Sequence, residues 1–195
     1  VSASAKEFLK INQFYRMLGV ALDRAESQSL YEFMDTLAQT ANKFLEKLNI
    51  DDFTGVIKIS RDIRDNSIVV KLVDRNGNNV DNPNTSLFTT MHLSVLFAIS
   101  ELTKDNLQNE YPIILDAPTS SFDEGKDKTF YKVLNRELDK QCIVVTKSYL
   151  YKNEDDRFVV DEKGIKDLLK DHNIPIYRIQ KLEGLINRIS QQLKQ

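Results

Sequence analysis

Two short runs, Ile113-Ile114-Leu115-Asp116 and Cys142-Ile143-Val144-Val145-Thr146, constrain the fold of this chain more than anything else in it. Each is apolar almost without interruption and too short for a helix, the pattern of a strand buried on both faces. Between them the segment 125–138 reads as a helix, opened by Ser121 and Glu124 at capping-box spacing. A parallel strand pair needs such a crossover, and an antiparallel hairpin does not. Strand, helix and strand therefore predict a right-handed βαβ unit of a parallel sheet. Pro112 suits the start of the first strand, because it has no N–H to leave unpaired.

The rest of the chain is arranged around that unit. Phe8, Ile11, Tyr15, Leu18 and Leu22 fall on one helical stripe. Glu26-Ser27-Gln28-Ser29 interrupts it, and Ser29 with Glu32 has the capping spacing that restarts a helix. Leu30, Met34, Leu37, Ala41, Phe44 and Leu48 continue the stripe. Residues 1–50 are therefore two amphipathic helices packed on one core, or the root of a coiled coil. The period then changes. Val56-Ile57-Lys58-Ile59 and Ile68-Val69-Val70-Lys71-Leu72-Val73 predict an antiparallel hairpin, closed by the turn signal Asp74-Arg75-Asn76-Gly77. The polar loop 76–86, with Pro83 near its centre, is either a mobile segment or an ordinary surface connection. A helix over 89–102 is apolar around most of its circumference and belongs between layers. The tail adds a strand at 158–160, a helix at 165–170, a strand at 174–179 and a terminal helix from Leu182. The expected class is α/β, with an N-terminal helical region (1–50) and a second region (51–195).

Composition limits the functions open to such a fold. With 27 basic and 29 acidic residues the net charge is −2, which excludes a strongly basic nucleic-acid module but not a local patch. Lys126, Lys128, Lys132 and Arg136 could form one, steering DNA, or be a charged solvent face. One cysteine and two histidines allow neither an internal disulfide nor a zinc cluster. Cys142 reads as an inert small hydrophobe, and Glu154-Asp155-Asp156 as a solvated loop. No apolar run approaches the ~20 residues of a membrane helix, and no signal peptide is evident, so a cytoplasmic protein without a membrane partner is expected. A start at Val1 suggests a piece of something longer.

The chemistry concentrates after the first buried run. A carboxylate at the carboxyl end of such a strand sits where open α/β sheets place ligands, so Asp116 is a candidate for the water shell of a phosphate-bound Mg²⁺. It could equally be a turn or capping acid. Ile113-Ile114-Leu115-Asp116 followed by Pro118-Thr119-Ser120-Ser121-Phe122-Asp123 resembles the Walker B strand and D-loop of ABC-type ATPases. The order of elements resembles the C-terminal half of the SMC-like branch, which includes RecN, SbcC and DndD, with DndD-like proteins the first guess. That resemblance covers roughly residues 30–150. It implies the parallel-sheet lobe of a P-loop ATPase head, carrying a hairpin and N-terminal amphipathic helices. It further implies ATP and Mg²⁺ as cofactors, with Asp116 as the metal residue. Thr90, Ser121, Phe122 and Asp123 would then contact nucleotide or the dimer seam, and Lys147 would occupy the switch position. The implied partners are an N-terminal P-loop lobe of the same parent protein, a second head and DNA, in DNA repair, restriction or modification.

Four departures qualify that picture. The six glycines, Gly19, Gly55, Gly77, Gly125, Gly164 and Gly184, form no phosphate-cradling G-x-x-x-x-G-K-[ST] loop, so tight ATP binding by this chain alone is not expected. Ala117 stands where the superfamily usually has a water-polarising glutamate, and alanine accepts no proton. Thr89-Thr90-Met91-His92-Leu93 replaces the glycine-rich signature, with Thr90 offering a hydroxyl and His92 either crowding the approach or lying partly buried. Lys147 stands where histidine is common, and a lysine offers phosphate a point charge rather than an imidazole. Two alternatives stay open: a nucleotide-gated DNA-binding scaffold with little hydrolysis, and an unrelated α/β interaction domain.

Overall fold

Ala3–Leu48 forms a single helix, α1, in a computed structural model that describes residues 3–50, 53–62, 64–104, 111–171 and 175–177. The break expected at residues 26–29 does not occur. No glycine or proline stands there, and Gln28 Nε2 donates to Glu32 Oε1 at 2.9 Å, so that carboxylate pairs within the helix instead of capping a new one. At 1.5 Å per residue α1 is ~70 Å long. Its two halves differ. Met34, Leu37, Ala41, Phe44, Leu45 and Leu48 are buried, whereas Ile11, Tyr15, Leu18 and Leu22 are exposed. Helix α1 therefore leaves the core near Met34. The side chain of Phe8, the terminal helix, and residues 174, 178 and 179 of the strand expected at 174–179 lie outside the described residues, and 175–177 form no strand.

The hairpin is as expected: β1 (Gly55–Arg61) pairs antiparallel with β2 (Ile68–Asp74), Ile57 opposite Leu72. Glycine is required at 55, because a Cβ there would sit 2.2 Å from the Val73 carbonyl oxygen. Neither edge of the hairpin is left bare. On β1, Asn42 of α1 donates to the Ile57 carbonyl (2.9 Å) and accepts from the Ile57 N–H (2.7 Å). On β2, the Leu72 carbonyl accepts from Val80 N at 2.9 Å. Asp74 Oδ1 accepts from the N–H groups of Asn76 and Asn78, and Gly77 takes the left-handed φ of 85° that the turn requires. The first half of the 76–86 loop is thus tied back to the sheet as a connection.

Helix α2 spans Thr85–Thr103, with Asn84 Oδ1 accepting from Leu87 N at its start. Among the described residues it is the one helix long and apolar enough to cross a membrane, which corrects the expectation that no segment qualified. Its packing is that of a core helix: Leu87, Met91, Leu93, Phe97 and Ala98 are buried in the shared core, with α1 the main neighbour. Phe97 meets Phe44 edge-on at 5.7 Å and Phe130 stacked at 6.3 Å. Each fully buried aromatic contributes ~1.5–3 kcal/mol relative to exposure.

Strands β3 (Ile113–Asp116) and β4 (Cys142–Val145) are parallel and in register, joined through α3 (Glu124–Glu137). Helix α3 is capped by Asp123, whose Oδ1 accepts from Lys126 N at 2.8 Å, and not by Ser121 as the spacing suggested. A second hairpin follows, β5 (Leu150–Lys152) with β6 (Phe158–Val160), then α4 (Glu162–Asp171). The class is α/β, but the described sheets are three separate pairs, and only β3–β4 is parallel. That pair is covered on one face. Leu115 is buried and Ile113 and Val144 pack on the core, whereas Ile114, Ile143 and Val145 are 67%, 44% and 42% exposed.

Candidate functional site

Four segments converge at the carboxyl end of β3–β4. Asp116 ends β3 with its side chain exposed. Ala117 then takes a left-handed φ of 46°, unusual for a residue with a Cβ. Two backbone bonds hold that turn: Ala117 N donates to Val145 O at 2.7 Å, and Ser120 N donates to Ala117 O at 3.2 Å. The chain end of β3 is thereby locked to the end of β4. From there Phe122 N donates to Thr119 O at 2.9 Å, and Asp123 caps α3.

The turn carries the expected residues to different places. Ser121 is partly exposed, and its hydroxyl lies 3.1 Å from that of Thr89, which joins the turn to the first part of α2. Phe122 points inward, 6.5 Å from the Phe130 ring, with Lys126 Nζ 5.2 Å from its own ring. Asp123 is exposed apart from its capping bond. Thr90 is fully enclosed and its hydroxyl donates to Ser86 O at 2.8 Å, so the hydroxyl near the surface at this end is that of Thr89. His92 is exposed rather than partly buried, with its ring 4.2 Å from that of Phe88 and Nδ1 2.9 Å from Phe88 O. Lys147 is exposed beyond the end of β4. Asp116, Ser121, Asp123, Thr89 and Lys147 thus lie on the segments meeting at one end of the sheet, while Thr90 and Phe122 belong to the interior.

Beneath this surface lies a polar cluster that sequence spacing did not reveal. Thr119 is buried, and its hydroxyl is 3.3 Å from that of Ser148. Ser148 Oγ is 2.8 Å from Thr146 Oγ1, and Tyr149 Oη donates to Asp127 Oδ2 at 3.3 Å. Burial raises the Asp127 carboxyl above the usual aspartate range, partly offset by the hydroxyls of Thr119, Tyr149 and Ser148. Burial first, and the neighbouring Asp127 second, push the Tyr131 phenol up to about 12, and raise Tyr149 as well. The only advance sign was an aspartate at the i, i+4 spacing from a tyrosine on a helix facing the sheet.

Among the described residues no group of three His, Cys, Asp or Glu side chains could hold a metal. A lone exposed carboxylate does fit Mg²⁺ whose other ligands are phosphate oxygens and water, because that ion keeps much of its hydration shell. The four basic residues of α3 do not form one face: Lys126 is buried, Lys128 pairs with Glu124 at 2.7 Å, and Lys132 and Arg136 are exposed. Cys142 is half-buried and its thiol is pushed up by burial, in keeping with an inert role.

No protein-family model matches the chain, and no curated protein matches its sequence. Solved structures do match its fold. The Smc head domain with a coiled coil and joint derived from Pyrococcus yayanosii superposes with a TM-score of 0.56 at 14% identity, over 86% of this chain and 35% of its own. A second structure, from work on ATP-driven dimerization and DNA-stimulated activation of SMC ATPases, gives a TM-score of 0.48 at 12% identity. It covers 73% of this chain and 95% of its own, and at that score adds nothing to the first. The chain spans about a third of the length of the Pyrococcus structure, at 35%. Neither likeness favours a DndD-like protein over its neighbours in the branch. At this identity the likeness is one of fold alone: the chain folds like part of that Smc head domain.

Proposed function

We propose that this chain is the C-terminal lobe of an SMC-like ATPase head that acts on DNA in repair, restriction or modification. The observation that carries this reading is the bare face of the β3–β4 pair, where Ile114, Ile143 and Val145 are exposed beside Asp116. Parallel sheets occur almost always with both faces covered, so a two-stranded one with an open apolar face calls for another layer. An N-terminal P-loop lobe of the same parent protein supplies that layer and the phosphate-binding loop this sequence lacks. In the joined head Asp116 would hold Mg²⁺ beside the nucleotide phosphates. Thr89 and Ser121 would present hydroxyls to a second head in an ATP-dependent dimer, and the exposed half of α1 would be the root of a coiled coil. Calorimetric titration with Mg-ATP tests this. The chain alone is expected to bind no tighter than millimolar, and the joined lobes to bind tightly with a dependence on Asp116. Micromolar binding to the chain alone would overturn the split site.

A second reading, a nucleotide-gated DNA scaffold with little hydrolysis, draws on Ala117. Its side chain accepts no proton, and its left-handed backbone is one that glutamate adopts at a cost. General-base catalysis contributes ~10²- to 10⁴-fold, so the wild-type joined head should turn over slowly and Ala117→Glu should raise the rate, leaving ATP-driven dimerisation intact. Fast turnover in the wild type, slowed by Ala117→Glu, would remove this reading.

A further inference from the structure

We propose that Asp127 is a positioning residue whose buried carboxylate ties the start of α3, and with it the turn after β3 that runs into it, to the segment after β4, so that the two move as one unit. The tie is built from side chains of three separate stretches. Thr119 comes from the turn, Asp127 from α3, and Thr146, Ser148 and Tyr149 from beyond β4. Tyr149 Oη donates to Asp127 Oδ2, while Ser148 is within 3.3 Å of Thr119 and 2.8 Å of Thr146 through their hydroxyls. Asp127 is 8% exposed and Thr119 3%, so water competes little at these two, whereas Ser148 is exposed. Two buried atoms here have no direct partner, Asp127 Oδ1 and the Tyr131 hydroxyl.

Asp127 and Tyr131 stand one helical turn apart on α3. The segment after β4 is thus held twice, to the turn through Ser148 and Thr119 and to the start of α3 through Tyr149 and Asp127, whose N–H donates to Asp123 O at 2.9 Å. Tyr149 is anchored in turn from outside, since its carbonyl accepts from Asp161 N at 2.8 Å and its ring lies 6.2 Å from that of Tyr131. The backbone bond from Ala117 to Val145 couples the turn to the end of β4 at the surface, and the Asp127–Tyr149 bond couples α3 to the segment beyond it. The turn carries Asp116, Ser121 and Asp123, and the segment after β4 carries Lys147. That these residues flank a nucleotide rests on the function proposed above, whereas the tie itself does not.

Hydrogen–deuterium exchange on the 195-residue chain tests the tie without nucleotide, so its failure is separable from failure of the ATPase reading. Asp127→Ala is expected to speed exchange about tenfold in both 117–123 and 146–150, the scale of one lost hydrogen bond to a buried carboxylate, while the β1–β2 hairpin keeps its protection. Asp127→Asn, which still accepts from Tyr149, should restore most of the protection in both segments. Tyr149→Phe removes one oxygen on the far side of the carboxylate and should loosen 117–123 as well as its own segment. Loosening of one segment without the other, or no change, overturns the proposal. If Asp127→Ala lowers protection throughout the chain, Tyr149→Phe decides: an unchanged 117–123 segment overturns it.

Discussion

At the scale of single residues, Asp127 titrates against the trend of the other perturbed carboxylates. Asp62, Asp65, Asp74 and Asp167 are held below the usual range, chiefly by hydrogen bonds from Arg64, Ser67, Asn78 and Lys170 respectively. Their contribution to stability is present at neutral pH and lost as pH falls through their folded values. Asp127 is raised by burial, so the folded chain keeps this proton at pH values where the unfolded chain has released it. Stability from this group therefore falls as pH rises from the ordinary 3.8 toward the raised value, then levels off. Urea denaturation across that range should show the stability of Asp127→Asn relative to wild type climbing with pH and reaching a plateau. A pH-independent difference would mean that the carboxyl is not desolvated. The i, i+4 spacing to Tyr131 is the sole trace of this group in the sequence, because burial belongs to the packed chain and not to the local sequence.

At the scale of elements, the clearest device is the docking of the first hairpin on α1. Asn42 answers both the N–H and the carbonyl of Ile57, standing in for a neighbouring strand along the β1 edge. Asn42→Ala leaves both groups without that partner and should cost ~1–3 kcal/mol, read as a lower urea midpoint with unchanged slope. An unchanged midpoint would mean that water replaces the side chain without loss. The hairpin itself was legible, because two β-branched runs and an Asn-Gly turn specify it locally. The continuity of α1 was not. A capping-box spacing is a permissive signal, and a helix with no glycine or proline at that point has no reason to stop.

At the scale of the whole molecule, the division between covered and bare apolar surface governs what the chain can join. The C-terminal half of α1, α2, α3 and the first hairpin share one core, whereas one face of β3–β4 and the N-terminal half of α1 remain bare. Ile114→Asp should therefore leave the stability of the isolated chain within ~0.5 kcal/mol, since an exposed position loses little. Under the proposed function the same change should abolish joining to a P-loop lobe in a pull-down of purified lobes. A large loss of stability in the isolated chain would show that Ile114 is already packed, and undiminished joining would show that the bare face is not the contact.

The sequence by itself determined the α/β class, the first hairpin, the parallel β3–β4 pair and the place of Asp116 at its end. Each of these follows from hydrophobic period and turn chemistry acting over a few residues. Only the tertiary structure decided that Thr90 is enclosed and Thr89 near the surface, since one residue of helix register turns a side chain by about 100°. It also decided that Phe122 faces the core, that Ala117 adopts a left-handed turn, and that Asp127 meets Tyr149 beneath the site. Those outcomes depend on contacts between segments distant in the chain, which no local pattern encodes.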